Sequence, residues 1–255
     1  MLVTESRRTR GRSALTAAAA ALGLILLACP PVMVEHEGHR LFNPAYLRFL
    51  DSSRRDAWQQ PEAVLDALGI PEGAVVADIG AGGGYFAERL ARRVGRTGVV
   101  YATDVQEPMI EALDRRVAER GLDNVRVVRA AYDAPTLPEA CCDLVFFSSV
   151  YKEIDARVDY MKKVARLLRP GARVAILEFR PDAPGWGPPR GDRLSAETIT
   201  RELGDAGYTL LLSHDFLSRE YLLVFTPRQG GDVGLEVQFF SRLHPARAAP
   251  LDGKN

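Results

Sequence analysis

The 255-residue chain reads as one α/β domain on a doubly wound, seven-stranded, mostly parallel sheet with a C-terminal antiparallel hairpin. Three observations predict this class. Short apolar runs alternate with amphipathic helical segments, the pattern of a sheet carrying helices on both faces. The run Val75-Val76-Ala77-Asp78-Ile79 breaks into Gly80-Ala81-Gly82-Gly83-Gly84, a glycine turn that opens a helix near Tyr85. The last two apolar runs, Thr209 to Leu212 and Tyr221 to Phe225, are close enough in sequence to pair as a hairpin.

The elements follow in order. Asn43-Pro44 starts a helix predicted through Arg55, with Tyr46, Phe49 and Leu50 forming an apolar stripe. Pro61 to Leu68 is the next helix, with proline in its tolerated first turn. Phe86 to Val94 follows the glycine turn as a helix, and Val99 to Asp104 is the second strand. Pro108 to Arg120 is a helix stopped by Gly121. Strands over Val125 to Val128 and Asp143 to Phe147 come next, the second too apolar for an edge. Asp155 to Leu168 is amphipathic, and Pro170-Gly171 turns it into a strand ending at Glu178. Ser195 is a plausible N-cap for the last helix.

The glycines let a ligand lie against the backbone beside free N–H donors of a helix start. Asp104 lies 22 residues beyond Gly82, about where a second-strand acid meets ribose hydroxyls in such folds. The Asp78-x-Gly80-x-Gly82-x-Gly84 pattern, Asp104 and the Leu167-Leu168-Arg169-Pro170-Gly171 turn resemble class I S-adenosylmethionine-dependent methyltransferases. The resemblance covers roughly residues 55–227 and is closest to the small-molecule branch that includes ubiquinone and menaquinone biosynthesis methyltransferases. It implies a Rossmann-like methyltransferase fold, S-adenosyl-L-methionine as cofactor and a small, lipophilic acceptor. Gly82-Gly83-Gly84-Tyr85-Phe86-Ala87 also fits a dinucleotide fingerprint, so a nicotinamide oxidoreductase is one alternative. A membrane-anchored binding module with a catalytically silent fold is the other.

Ligands in such sheets sit at the carboxyl ends of the strands. The cofactor-binding candidates are therefore Asp78, Gly80, Ala81, Gly82, Gly84, Tyr85, Asp104, Val105, Tyr132, Asp133 and Ser148. Methyl transfer mainly needs alignment of the reacting atoms, with a base only where the nucleophile must lose a proton. Ser148, Ser149, Tyr151, Lys152 and Glu153 follow the fourth strand, and Tyr151 and Glu153 are the catalytic candidates. Close relatives often carry histidines here, and Lys152-Glu153 departs from that pattern. Trp58, Tyr151 and Trp186 are the candidate substrate contacts, Trp186 standing in a Pro/Gly-rich loop after the fifth strand that resembles a lid. The resemblance also implies that the N-terminal region covers the cofactor.

The chain carries 33 basic and 33 acidic residues, so nothing marks a nucleic-acid partner. Its three cysteines form neither a disulfide framework nor a zinc spacing, and no metal is assigned. His36-Glu37-Gly38-His39 reads as solvated linker rather than a ligand set. The predicted organisation is a leader over 1–28, a linker over 29–42, the methyltransferase domain over 43–227 and a poorly ordered tail over 228–255.

Arg7, Arg8, Arg10 and Arg12 precede an uncharged apolar run from Ala14 to Ala28, the n- and h-regions of an export signal. Leu26-Leu27-Ala28-Cys29 resembles a bacterial lipoprotein box, which makes Cys29 the lipidation candidate. Ordinary secretion and an uncleaved anchor running to Val34 are the alternatives, although Pro30 and Pro31 disturb a helix there. The expected location is the bacterial cell envelope, with membrane attachment through the N-terminus. A cytoplasmic location is the alternative, because S-adenosylmethionine is made in the cytosol. Expressed in a Gram-negative host, the full chain is expected to take up labelled fatty acid and partition with membranes. Cys29→Ser is expected to abolish the label, since the diacylglyceryl group needs the thiol; a chain that stays membrane-bound at full mass would instead be an uncleaved helix.

Overall fold

The computed structural model describes residues 31–50, 52–185 and 187–228. The leader with Cys29, the residue Trp186 and the tail from Gln229 lie outside the described residues. The N-terminal segment is not a linker. Met33–His36 (β1) and His39–Phe42 (β2) pair antiparallel through a two-residue Glu37-Gly38 turn. Both turn residues have positive φ, the geometry that matches the twist of a tight hairpin.

The helix predicted from Asn43 to Arg55 is broken into pieces. A 3-10 turn over Pro44–Tyr46, a short helix Leu47–Leu50 (α1), a second 3-10 turn over Ser53–Arg55 and Asp56–Gln59 (α2) replace it. Polar side chains compete locally for the backbone: Asn43 Oδ1 accepts from Ala45 N at 3.0 Å, and Ser52 Oγ accepts from Arg54 N at 3.3 Å. Pro61–Leu68 (α3) forms as predicted.

The main sheet is built from Val75–Ile79 (β3), Val99–Asp104 (β4), Val125–Arg129 (β5), Cys142–Ser148 (β6), Leu168–Phe179 (β7), Tyr208–His214 (β8) and Glu220–Pro227 (β9). Their order is β5-β4-β3-β6-β7-β9-β8. β3 to β7 run parallel, while β9 runs antiparallel to both β7 and β8. Tyr85–Val94 (α4), Glu107–Arg120 (α5), Arg157–Val164 (α6) and Ala196–Asp205 (α7) supply the flanking layers. Ser195 caps the last of these, accepting from Thr198 N at 3.2 Å.

Strand residues alternate between two cores. Val76, Leu144, Phe146, Ala175 and Val224 pack with α3 and α4 on one face. Ala77, Val145, Phe147, Ile176 and Phe225 pack with α6 and α7 on the other. This period of two is why the central strands read as unbroken apolar runs. α6 stops earlier than predicted: one 3-10 turn over Ala165–Leu167 leads directly into β7. Pro170 disfavours helical backbone at the residue before it, so the chain is already extended there. Against β6, Cys142 pairs with Leu168 and Leu144 with Arg173, so the Pro-Gly segment bulges out of the ladder rather than preceding the strand.

Candidate functional site

The carboxyl ends of β3, β4 and β6 converge on a cavity of about 120 Å³. Its floor is the glycine turn. Ala81 N donates to Thr103 O at 2.8 Å, and Gly82 N donates to Asp104 Oδ2 at 3.0 Å. Asp104 Oδ1 accepts from Gln106 N at 2.9 Å. Burial pushes the Asp104 carboxyl up to about 6, against the pull of the Gln106 and Gly82 N–H groups.

The glycines differ in what they face. A Cβ on Gly80 would strike Val150, and one on Gly84 would press on Leu113 of α5. Gly82 alone of these has open space on its Cβ side, the nearest atom being Leu50 Cδ1 at 3.9 Å, and its φ of +55° suits glycine. Thr103 Oγ1 is buried at the cavity wall without a protein partner.

The hairpin of β1 and β2 roofs the cavity with His39, Leu41 and Phe42. Gln106 Nε2 donates to Phe42 O at 3.1 Å, and Phe42 N donates to Glu153 Oε2 at 3.0 Å. His39 Nδ1 meets Asp155 Oδ2 at 2.6 Å, and its ring stacks on Tyr132 with centroids 3.9 Å apart. Arg40 pairs with Asp192.

A second, smaller cavity adjoins the first and shares Phe42, Leu50 and Ser149 with it. Its remaining walls are Phe49, Arg55, Trp58, Phe179 and Pro188. Trp58 sits 5.4 Å from Phe179 and under the Arg219 guanidinium. The Pro/Gly-rich loop contributes Pro188; Arg193 pins this loop by donating to Pro188 O at 2.9 Å and Ala183 O at 2.7 Å.

The structure thus gathers Gly80, Gly82, Asp104, Val105, Tyr132 and Glu153 around one cavity and Trp58 beside it. Other candidates stand elsewhere. Tyr151 is fully buried, and its hydroxyl donates to Glu202 Oε2 at 3.0 Å, because that carboxylate is held by Arg157 on the α7 side. It therefore faces neither cavity, contrary to the roles expected for it. Tyr85 lies between the Arg55 and Arg89 guanidinium groups, and its hydroxyl donates to Asp56 Oδ1 at 2.5 Å. Asp133 is exposed and paired with Lys163 at 2.7 Å. Ala81 and Gly84 act through the turn and its packing. Ser148 is half-buried, its Oγ enclosed without a partner and away from the cavity lining.

Sequence reasoning missed a buried polar group behind the junction of the two cavities. Glu220 is fully buried and accepts from Gln59 Nε2 at 2.9 and 3.0 Å and from Ser149 Oγ at 3.2 Å. Burial raises its carboxyl to about 7, with Arg55 opposing the shift. Glu178 is also buried, and Lys152 N donates to it at 3.3 Å. Burial lowers the Lys152 ammonium, but Glu178 and then Glu153 outweigh it and lift the ammonium above its usual range. The acid Glu178 inside the apolar run of β7 was an available signal; Glu220, standing at the start of β9 after Arg219, gave none. Asp78 is buried behind the turn with Oδ2 unpartnered, and burial lifts its carboxyl to about 7 against Arg55.

Sheet order, glycine turn and strand-end acid together define a class I methyltransferase architecture. A family model described as a methyltransferase domain matches residues 76–171. The ubiquinone/menaquinone biosynthesis C-methyltransferase UbiE of Hahella chejuensis is 30% identical over 116 residues, covering 45% of this chain and 47% of that protein. The UbiE of Hydrogenovibrio crunogenus is 31% identical over 116 residues, covering 45% and 46%. The chain therefore spans about half the length of these curated relatives. A SAM-dependent methyltransferase from Aquifex aeolicus superposes with a TM-score of 0.70 at 29% identity, covering 72% of this chain and 98% of that one. The [4+2]-cyclase SpnF superposes at 0.58 with 17% identity over 69% of this chain and 83% of that one, a likeness of fold alone. Residues 76–171 thus match a methyltransferase domain on a fold shared with a SAM-dependent methyltransferase, and S-adenosylmethionine is the cofactor this likeness implies. These findings give no support to the nicotinamide or the silent-fold alternative. The residues fit the cofactor: the turn leaves space at Gly82, and Thr103 Oγ1 holds unused hydrogen-bonding capacity at the wall.

Two outcomes follow from this geometry. Gly82→Val puts a β-branched side chain into the cavity at a φ that valine avoids. Calorimetry is expected to show S-adenosylhomocysteine binding lost from a protein that still melts cooperatively; retained tight binding would place the ligand away from the turn. Asp78 is raised from 3.8 to about 7, so the folded chain holds its proton more tightly than the unfolded chain. That contribution is complete below about pH 4 and is lost as the pH rises through about 7. Asp78→Asn is expected to stabilise the unliganded protein by about 1–3 kcal/mol at pH 8 and by less at pH 5 in urea unfolding. An equal change at both pH values would mean that Asp78 titrates normally.

Proposed function

We propose that this protein transfers a methyl group from S-adenosylmethionine to a small, lipophilic molecule. One observation carries the reading: an apolar, aromatic-walled cavity opens beside the glycine-turn cavity and shares Phe42, Leu50 and Ser149 with it. Two ligands seated in adjoining cavities meet at those three residues, the arrangement a group transfer needs. In this reading Asp104 accepts from ribose hydroxyls, Val105, Met109 and Tyr132 enclose the base, and the Asp78 carboxylate favours the cationic end. When bound, the cofactor supplies a methyl group already activated by its sulfonium, so the chain need only seat the acceptor and exclude water. The hairpin roof and Leu50 serve that exclusion, and Glu153 holds the roof through Phe42 N.

The curated relatives are ubiquinone/menaquinone biosynthesis C-methyltransferases, and the Trp58 and Phe179 walls suit a lipophilic ring of comparable kind. The leader over 1–28 motivates a place at the cell envelope, attached to the membrane through Cys29. Among the described residues no helix is long and apolar enough to cross a membrane. Calorimetry of the full chain against S-adenosylmethionine, S-adenosylhomocysteine and NADH tests the assignment. Binding of the first two in the micromolar range with none of the third is expected; the reverse order would refute it.

A further inference from the structure

Ser149 occupies an unusual place. It lines both cavities at their junction, and its φ of +59° is a left-handed value that a residue with a Cβ rarely adopts. Such strain persists only where surrounding structure enforces it. Here Ser149 N donates to Leu177 O at 2.8 Å, and Ser149 Oγ donates to Glu220 Oε1 at 3.2 Å. The strained backbone thus seats the hydroxyl between the cavity junction and a fully buried carboxylate. Gln59 Nε2 fixes that carboxylate through both oxygens.

We propose that Ser149 and Glu220 form the proton-accepting pair of this site, taking the proton of a hydroxyl group on the acceptor molecule. This inference rests on the methyl-transfer reading and adds to it the acceptor's chemistry. The acceptor's O–H bond breaks and its electron pair stays on the acceptor oxygen. The released proton bonds to Ser149 Oγ while the serine's own proton passes to Glu220 Oε1. The serine ends neutral and the carboxylate ends as a carboxylic acid, so no further reactant is needed.

The surroundings suit this task. Facing Glu220 are Arg55 and Gln59 from the N-terminal segment, Glu178 from β7 and Ser149 after β6. Burial raises the carboxyl, Arg55 lowers it and Glu178 raises it, leaving it at about 7. A carboxyl poised there is substantially ionised near neutral pH yet holds a proton readily. Below that value Glu220 is a neutral acid and the pull of Ser149 on a substrate hydroxyl weakens; above it, the carboxylate holds the serine's proton more strongly and so strengthens the hydrogen bond that Ser149 Oγ accepts.

The test uses the full chain and two probes that differ by one hydroxyl, p-cresol and toluene, followed by ligand-observed NMR with and without S-adenosylhomocysteine. At pH 8 p-cresol is expected to bind about tenfold tighter than toluene, the upper margin for one hydrogen bond to a neutral hydroxyl, here polarised by the carboxylate behind Ser149. The margin should narrow at pH 6. Ser149→Gly and Glu220→Gln are each expected to cut it at least about fivefold and to flatten its pH dependence. Glycine relaxes the positive φ, so Ser149→Gly keeps the fold and carries the test if Glu220→Gln unfolds. Equal binding of the two probes by the wild type, or a margin retained in Ser149→Gly, would overturn the proposal. Failure of S-adenosylhomocysteine to bind would instead sink the cofactor reading, because the hydroxyl margin is measured without it as well.

Discussion

The Asp104 carboxylate is the interaction on which the rest of the site depends. One oxygen takes the Gly82 N–H and the other takes the Gln106 N–H. Both donors lie in turns that lead into helices, where backbone N–H groups lack helical partners. One side chain therefore closes the turn after β3 and the turn after β4 together. β3 and β4 are already locked in parallel register, with Ile79 opposite Thr103. The turn cannot shift without straining that ladder. The Gln106 side chain carries the constraint further by holding Phe42 O, so the roof is referenced to the same acid. Asp104 is thus a structural brace as well as a candidate ligand contact, a double duty that its position in the sequence does not reveal.

The same edge of the sheet collects an unusual load of buried acid. Asp78 lies one residue before the end of β3 and Asp104 ends β4, Glu178 lies near the end of β7, and Glu220 begins β9 beside it. Compensation comes from side chains distant in sequence. Arg55 and Gln59 arrive from the broken N-terminal helices and Lys152 from the turn after β6. Paired or hydrogen-bonded charges can stay buried, but apolar residues of similar size usually serve stability as well or better. Charged groups held here against that preference fit a site built to bind and move protons more than a core built for stability.

The sequence made the sheet legible because the strands bury both faces and the glycine turn is dense in residues with few structural uses. All seven strands, the α3, α4, α5 and α7 helices and the Ser195 cap lie close to where their patterns put them. The roof was not legible as such. Met-Val-Glu-His and His-Arg-Leu-Phe are short and mostly polar, and the positive φ at Glu37 is one that its residue type does not advertise. Tyr151 and Tyr85 misled for a related reason. Each follows a strand end, where ligand contacts gather, but a buried tyrosine must find a partner for its hydroxyl, and Glu202 and Asp56 draw the two rings away. Glu220 was invisible because its partners, Gln59 and Ser149, stand 161 and 71 residues away.

The contrast between sheet and roof decides where this domain opens. The two cores are continuous apolar packing, and exposing a single large side chain there costs about 1.5–3 kcal/mol. The roof is attached differently. Leu41 is its one buried apolar side chain among the described residues; besides the His39 ring stacked on Tyr132, its ties are polar: His39 to Asp155, Arg40 to Asp192, Phe42 N to Glu153 and Gln106 to Phe42 O. Exposed ion pairs contribute about 0–1 kcal/mol each, since water replaces them readily. Local opening draws on the least costly contacts first. The hairpin is therefore held less strongly than the sheet, the glycine turn and the Asp104 brace.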